Sequence, residues 1–413
     1  MKILYLSQLV PYPADAGPKI RIYHVLQYLA QAGHEITLVA FRREEDDPEQ
    51  LDHLYRYCRE IHTVLMRRSL LQDLWQVASG IVSGHPFLIS RDSVDEMYQT
   101  LQEVAVRDSF DAIHADQLWM AQYALAAGRR NGHARLVLDE HNAMYLIPER
   151  LASGANPLRR AILNREARNM ARYEVETCKQ FDNVVWVSAE DRRAVRGQST
   201  KLRGANGSSG PATNGMNNLV IPICVDPQAK AVIQRRPDAR RVTFLGGLHW
   251  PPNAEGVLWF MEEVWPQVQK QAPDAVLTIL GKNPPSAVVR RAQVDAHVEA
   301  PGYVEDVTPY LAETVAFIVP LHAGGGMRVK ILDAWSWGLP VVSTTIGVEG
   351  LWYRDGENVL IADRPGAFAQ ATLRLLMRPE QAAALGAAGR QTVEAHYDWR
   401  RVYRAWDKIY GEA

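Results

Sequence analysis

The stretch Phe317-Ile-Val-Pro-Leu-His-Ala-Gly-Gly-Gly-Met-Arg-Val-Lys-Ile-Leu-Asp-Ala-Trp-Ser-Trp-Gly-Leu-Pro-Val-Val-Ser343 decides the fold. It reads as a strand, a glycine turn, a helix capped by Gly338, and the next strand. Gly324, Gly325 and Gly326 stand at the carboxyl end of the first strand, where backbone N–H groups approach an anion closely. The positive end of the following helix points at the same place. In an open α/β sheet that crevice is where ligands bind. Arg328 and Lys330 add positive charge in the first helical turn, against the helix dipole, and a bound anion would relieve the conflict. Asp333, one turn along, suits a ribose diol. A glycine turn alone would serve equally as a plain strand–helix connection. The glycines, two cations, an acid and the Trp337-Gly-Leu-Pro-Val-Val342 ending together point to a ligand.

The same alternation continues in both directions. Upstream, Lys2 to Ser7 is a strand, followed by a helix with Ile22, Leu26 and Leu29 on one face, then Gly33 and a strand at Ile36 to Phe41. Further strands are expected at Ile61 to Leu65, Ala112 to Ala115, Leu136 to Asp139, Asn183 to Val187 and Leu219 to Ile223. Downstream of Arg241 they are expected at Val242 to Leu245, Ala275 to Leu280, Val315 to Val319, Pro340 to Ser343 and Val359 to Ala362, with a helix at Ala254 to Lys270. The strands lack clean apolar–polar alternation, as strands covered on both faces do. The pattern implies an α/β fold of doubly wound parallel sheets. Residues 198–217 are rich in Gly, Ser, Asn and Thr and read as a mobile loop. A strand follows directly, so the domain boundary belongs later, near Asp226 to Asp238. This gives an N-terminal domain of residues 1–228 and a C-terminal domain of 229–394. Trp399, Val402, Tyr403 and Trp406 form a helical stripe whose ordinary reading is packing, and the helix at about 395–413 is a candidate to pack back on the first domain.

Composition narrows the function. A chain of 413 residues suits two domains of Rossmann size. Its formal net charge of -1 leaves no overall field for nucleic acid, so no nucleic-acid partner is expected. Cys58, Cys178 and Cys224 have no metal-ligand spacing and read as buried free thiols of a reducing compartment. Met1 to Ser7 reads as a first strand rather than a signal peptide, and no run approaches the ~18 apolar residues of a membrane span. A cytoplasmic protein is expected. Arg67-Arg68 precede a helical pattern with Leu70, Leu71, Leu74, Ala78, Ile81 and Val82 on one side. Its plain reading is a core-facing helix, and its alternative is a peripheral contact with the inner face of an anionic membrane.

The motifs as a set resemble the family-four retaining glycosyltransferases of GT-B fold, in which two Rossmann-like domains enclose a cleft. Asp333-Ala334 followed by Gly338-Leu-Pro-Val-Val342 matches the family's hallmark. The resemblance extends to Phe244-Leu-Gly-Gly-Leu-His-Trp-Pro-Pro-Asn253, Pro273-Asp-Ala-Val-Leu-Thr-Ile-Leu-Gly281, Gly302-Tyr-Val-Glu-Asp306, Val187-Ser-Ala-Glu-Asp191 and Val220-Ile-Pro222 with Val225-Asp226. The variant looks closest to members from exopolysaccharide gene clusters. The resemblance implies transfer of a sugar from a nucleotide-diphosphate sugar to a saccharide or lipid-linked acceptor, in polysaccharide or glycoconjugate biosynthesis. It assigns the donor nucleotide and phosphates to Gly246, Gly247, Val304, Glu305, Gly324, Gly325, Gly326, Met327, Arg328, Lys330 and Asp333. Asp333 takes the place of the family's second motif glutamate, which holds the ribose. The first, which contacts the donor sugar, falls at Gly325. The family's Arg/Lys pair on the first strand–helix loop of the second domain is also missing, around Gly247, His249 and Asn253. Arg328 and Lys330 are the candidates to supply the lost diphosphate charge.

In the first half, Leu138-Asp-Glu-His-Asn-Ala143 sets His141 at the carboxyl edge of a strand, where the family carries a histidine facing the donor sugar. By resemblance His141 is the catalytic candidate, stabilising charge as the anomeric bond breaks. The competing reading is a capping or solvent-facing histidine. His114 is a weaker candidate of the same kind, and Asp139 and Glu140 are candidates to orient the ring. The loop Pro11 to Lys19 lacks GxGxxG. In the family that the sequence resembles, this loop lines the acceptor and phosphate side, which makes Gly17, Lys19 and Arg21 candidates there, beside the plain reading of a surface loop. Retention is implied by the family. No metal or other cofactor is expected, because helix N-terminus and cations neutralise the phosphates. Two rivals remain: a sugar-nucleotide epimerase of the same architecture, and a non-catalytic nucleotide-sugar-binding subunit.

Overall fold

The structure is a computed structural model that describes residues 1–44, 46–67, 84–130, 132–206 and 217–411, with no side-chain statement for 202–206 and 217. The candidate membrane helix from residue 68 to 82 lies outside the described residues, as does the part of the expected loop from 207 to 216. The other end of that loop is corrected: residues 198–206 continue the helix Ala189–Asn206. Its Arg, Lys, Gln and Ala residues favour helix, and they outweigh the turn-forming Gly and Ser read from the sequence.

The chain divides into two compact units. The first comprises Met1–Cys224, Gly325–Met327 and Trp399–Ala413, and the second comprises Val225–Gly324 and Arg328–Asp398. Each is built on one parallel sheet. In the first unit the strands are β1 (Lys2–Ser7), β2 (Glu35–Arg42), β3 (Glu60–Leu65), β4 (Ala112–Asp116), β5 (Arg135–Glu140), β6 (Asn183–Trp186) and β7 (Asn217–Val220). Their order in space is β3-β2-β1-β4-β5-β6-β7, and β4 and β5 pair in a register that sets Asp116 beside Asp139. In the second unit β8 (Arg241–Leu245), β9 (Val276–Leu280), β10 (Val298–Gly302), β11 (Thr314–Val319), β12 (Val341–Ser343) and β13 (Leu360–Ile361) follow the order β10-β9-β8-β11-β12-β13.

Burial explains why the strands carry no polar alternation. Along β1, Leu4 and Leu6 join one buried cluster and Ile3 and Tyr5 join another, so both faces of the sheet are core. The second unit has its own core, centred on Val242, Phe244, Leu277 and Ile279 of the sheet with Phe260, Trp265 and Phe368 from its helices. The expected helix Ala254 to Lys270 is three pieces: Pro251–Trp259, a π-turn at Phe260–Val264, and Trp265–Gln271. Pro266 has no N–H to continue the ladder, and the widened turn absorbs the break.

Two strands differ from expectation. β10 is an edge strand with a bulge between Glu299 and Gly302, too polar to stand out in the sequence. β7 ends at Val220, short of Ile223. The aromatic stripe near the C-terminus packs as read. Trp399, Tyr403, Trp406, Ile409 and Tyr410 are buried in the cluster that covers one face of the first sheet. Among the described residues no helix is long and apolar enough to cross a membrane, and the three cysteines are buried and free.

Candidate functional site

In the second unit, β8 runs into Gly246-Gly247, and the helix Pro251–Trp259 begins just beyond. The turn is tight. A Cβ on Gly281 would lie 2.0 Å from the Gly246 carbonyl oxygen, and the φ of Gly281 is +152°. β11 leads into the glycine turn, where Gly324 and Gly326 have φ of +122° and +68°, in the region that favours glycine. The helix Val329–Ser336 follows, and Gly338 closes it with φ of +72° and Leu339 N–H donating to Ala334 C=O.

Lys330 and Arg328 divide their duties differently from the expected pair in the first helical turn. Arg328 is the N-cap residue, outside the helix, with its guanidinium folded against Gly324. Lys330 lies within the helix, and its Nζ reaches the β8 turn. A Cβ on Gly246 would meet Nζ at 2.6 Å. Nζ donates to Asn253 Oδ1 at 2.7 Å and stands 4.4 Å from the centre of the Phe244 ring. Burial, and secondarily the Arg328 charge, lower its pKa to about 7. The helix cation thus occupies the turn whose expected Arg/Lys pair is missing from the sequence. Asp333 forms an ion pair with Lys230, whose ammonium also lies 4.4 Å from the Trp337 ring centre. Val304 and Glu305 follow β10, with Val304 half-buried and Glu305 exposed. Beside them Tyr303 is 63% exposed under the Lys282 ammonium, 4.6 Å from its ring centre.

In the first unit the loop after β5 carries His141, which is 5% exposed. Its Nε2 lies 2.9 Å from Asp116 Oδ1 and 3.6 Å from Asp139 Oδ2. Burial alone would lower the imidazole pKa, but Asp116 and then Asp139 raise it to about 9. The charges agree with this direction. Asp116 and Asp139 are buried carboxylates, Arg21 is a buried cation, and an imidazolium makes the set of four neutral. Burial acts to raise the pKa of both acids, but at Asp139 the Arg21 guanidinium and the His141 ring together outweigh it and hold the carboxyl well below the ordinary range. Asp116, missed in the sequence reading, is therefore the principal partner of the ring. Its signal was an acid closing the apolar strand Ala112 to Asp116. Glu140, also a candidate for that role, is buried near Glu174, its pKa raised by burial and then by the Glu174 carboxyl.

The loop itself is pinned by two further acids. Asp191 Oδ1 accepts Ala143 N–H at 2.8 Å, and Glu174 Oε1 accepts Met144 N–H at 2.8 Å. Ser188 Oγ caps the helix Ala189–Asn206 by accepting the Asp191 N–H at 3.0 Å, and its hydroxyl donates to the Asp191 carboxylate. Gly325–Met327 group with this unit, and a Cβ on Gly326 would stand 2.4 Å from the His141 carbonyl oxygen. Met327 Sδ lies 3.1 Å from Ile223 N.

Two candidates are corrected. Arg21 does not face an acceptor: its side chain is wholly buried, with Nε 2.7 Å and Nη2 2.5 Å from the two Asp139 oxygens and Nη1 donating to Ile221 and Pro222 C=O. A buried guanidinium is retained only when its donors are satisfied, and here β5 and the chain just after β7 supply the acceptors. His114 is likewise structural, stacked on Tyr5 at 4.1 Å, with Nδ1 2.6 Å from Tyr410 Oη and its pKa lowered by burial to about 3. Gly17 opens the helix Gly17–Gln31, and Lys19 makes a loose ion pair with Asp15 at 3.5 Å.

Asp116, Asp139 and His141 each offer a ligand atom within 4.8 Å of one another. They do not fit a metal ion, because both Asp139 oxygens are taken by Arg21, whose positive charge would oppose a second cation there.

Two parallel-sheet Rossmann-like units, each with its own core, make up the GT-B fold. Residues 17–201 match the Glycosyltransferase Family 4 domain and residues 239–378 match Glycosyl transferases group 1. The chain belongs to this glycosyltransferase family and is a transferase enzyme. An uncharacterized 44.6 kDa protein in the cps region of Klebsiella pneumoniae is 22% identical over 97% of this chain and 98% of its own. A GDP-mannose-dependent monoacylated alpha-(1-6)-phosphatidylinositol monomannoside mannosyltransferase of Corynebacterium glutamicum is 31% identical over 32% of this chain and 38% of its own. Among solved structures, Anabaena HepE in complex with UDP and glucose superposes with a TM-score of 0.65 at 14% identity, covering 100% of both chains. The sucrose-phosphate synthase of Thermosynechococcus elongatus does so with a TM-score of 0.67 at 16% identity, over 99% of this chain and 98% of the other.

Proposed function

We propose that the chain moves a sugar, with retention at the anomeric carbon, from a nucleotide-diphosphate sugar to a saccharide or lipid-linked acceptor in polysaccharide or glycoconjugate biosynthesis. The observation that carries this reading is the Lys330 ammonium seated against Gly246, an uncompensated cation at the carboxyl ends of β8 and β11. A diphosphate leaving group gains negative charge as the anomeric bond breaks, and a fixed cation there lowers the barrier. In this reading Gly246, Gly247, Gly324, Gly325, Gly326, Met327, Arg328, Lys330, Asp333, Val304 and Glu305 line the nucleotide and phosphates. His141 meets the sugar, and Gly17 and Lys19 lie toward the acceptor. The cps-region relative and the UDP complex of HepE support the pathway and the donor class.

Protein cations meet the diphosphate charge, so transfer is expected to persist in EDTA. Three free buried cysteines suit a reducing, cytoplasmic compartment. The segment beginning at Arg67 is the proposed contact with the inner face of the membrane.

The test is a thermal-shift screen of nucleotides and nucleotide sugars, followed by transfer assays with the donor it selects. Binding raises apparent stability by RT ln(1 + [L]/Kd), so the cognate donor stands out. Proton NMR of the product reports the anomeric configuration. A flat response to every nucleotide overturns the reading. Gly325, standing where the family places a sugar-reading acid, favours one second reading, a donor-binding subunit that does not transfer. Binding without turnover across the acceptor panel would establish that alternative, and conversion of donor alone would mark an epimerase.

A further inference from the structure

Lys330 and Asn253 are 77 positions apart in sequence, and their side chains meet at the β8 turn. Asn253 lies on the first turn of the helix Pro251–Trp259 and is 8% exposed. Its amide is committed at both ends: Nδ2 donates to the Gly247 carbonyl oxygen at 2.7 Å, and Oδ1 accepts from Lys330 Nζ at 2.7 Å. The two contacts fix the orientation of the amide, since reversing it would set donor against donor and acceptor against acceptor. The ammonium rests on the Phe244 ring face, and glycine at 246 leaves it room. Among the described residues no carboxylate pairs with Lys330, and Arg328 is the charged group that acts on it. Lys230, paired with Asp333 of the helix that carries Lys330, shows the contrasting arrangement of a lysine whose charge is matched.

We propose that Asn253 is a positioning residue of the donor site, holding the Lys330 ammonium over Gly246 so that it meets the donor diphosphate without being neutralised. This rests on the nucleotide-sugar reading above. An acid at 253 would hold the ammonium as well but would cancel its charge and repel the phosphates. An amide directs the ammonium with a dipole and leaves its charge for the ligand. Gly246 is the second part of the device. Its backbone is not in the left-handed region, and the atom a Cβ would strike is the mobile end of Lys330, so alanine there displaces the ammonium rather than the strand.

The experiment combines two measurements on the full chain and on Asn253→Ala, Asn253→Asp and Gly246→Ala. Calorimetry measures binding of uridine, guanosine, UDP, GDP and inorganic pyrophosphate. Competitive acetylation across pH, read by mass spectrometry, follows the Lys330 amine in the absence of ligand. Each variant is expected to weaken nucleoside diphosphate and pyrophosphate binding roughly tenfold or more, the size of a lost charge-assisted contact, and to leave nucleoside affinity unchanged. Asn253→Asp is expected to move the Lys330 titration upward as well. If the wild type binds UDP or GDP and Asn253→Ala binds them equally with an unchanged acetylation profile, the inference falls. It also falls if nucleoside and diphosphate affinities drop together, since that is a structural effect. If the wild type binds no nucleoside diphosphate, the nucleotide-sugar reading itself falls.

Discussion

His141 Nε2 and Asp116 Oδ1 stand 2.9 Å apart, with side chains 4% and 0% exposed. The Asp116 carboxylate closes β4, and the imidazole begins the loop after β5, so adjacent parallel strands deliver the pair to one sheet edge. Buried beside two carboxylates, the ring is held as an imidazolium. In the proposed transfer it would offer a fixed positive charge at neutral pH rather than a base.

This gives the first prediction. Asp116→Asn removes the charge that raises the pKa, so the His141 titration, followed by imidazole NMR, is expected to fall from about 9 to below its ordinary 6.5. Transfer at neutral pH is expected to lose kcat with little change in donor KM. The linkage has a definite sign. A folded pKa raised above 6.5 contributes stability that is full below 6.5 and is lost as pH rises through about 9. The stability difference between wild type and His141→Gln, measured by urea unfolding, is thus expected to be larger at pH 6 than at pH 9.5. Equal differences would refute the assignment.

Lys330 carries the opposite shift and the second prediction. Its amine, normally titrating near 10.5, is brought to about 7 in the free protein. A bound diphosphate favours the charged form, so donor binding takes up a proton. The diphosphate of a sugar nucleotide does not titrate near neutrality and its base ionises only toward about pH 9, so between about pH 6 and 8 the dependence reports the protein. Affinity is expected to be greatest below pH 7 and to fall, approaching roughly tenfold per pH unit, as pH rises above it. Calorimetry in two buffers of different ionisation enthalpy measures the proton directly. Lys330→Arg, always charged, is expected to flatten the profile.

The sheets were legible because their strands are buried on both faces, and runs such as Lys2 to Ser7 and Val315 to Val319 can satisfy that environment in few other ways. The bulged edge strand Val298–Gly302 was not, since edge strands need little apolar content. The glycine turn and Lys330 were visible as a local pattern. What the pattern did not show is that Lys330 leaves its own turn for Gly246, a contact made by folding across 84 positions. Arg21 was misread for the same reason: a cation beside a glycine loop suggests a ligand, while its Asp139 partner lies 118 residues away.

Arg21 supplies the third prediction. Replacing it by Met leaves Asp139 and Asp116 buried with one cation fewer, and the Ile221 and Pro222 carbonyls lose their donor. Loss of one partner from a buried pair costs about 3–5 kcal/mol. Arg21→Met is expected to unfold at correspondingly lower urea, and the folded fraction is expected to keep its acceptor KM. A raised acceptor KM at unchanged stability would restore Arg21 to the substrate.

The C-terminal segment gives the last prediction. Trp399, Tyr403, Trp406, Ile409 and Tyr410 belong to the core over one face of the first sheet, beside Ile3, Tyr5 and Val25. Tyr403 Oη accepts the Cys224 N–H at 3.3 Å, and Tyr410 Oη meets His114 at 2.6 Å. Removing residues 399–413 therefore uncovers apolar strand faces and leaves His114 Nδ1 without its partner. A chain ending at Asp398 is expected to lose cooperative unfolding of its first unit and to be digested rapidly there by protease. The milder Trp406→Ala is expected to cost about 3–5 kcal/mol, as large buried aromatics do. Tyr410→Phe tests the polar part alone. It keeps the ring but strands a buried imidazole nitrogen, for an expected loss of about 1–3 kcal/mol in urea unfolding. If Tyr410→Phe matched the wild type while Trp406→Ala did not, the segment would act through apolar cover alone and the His114 contact would contribute nothing.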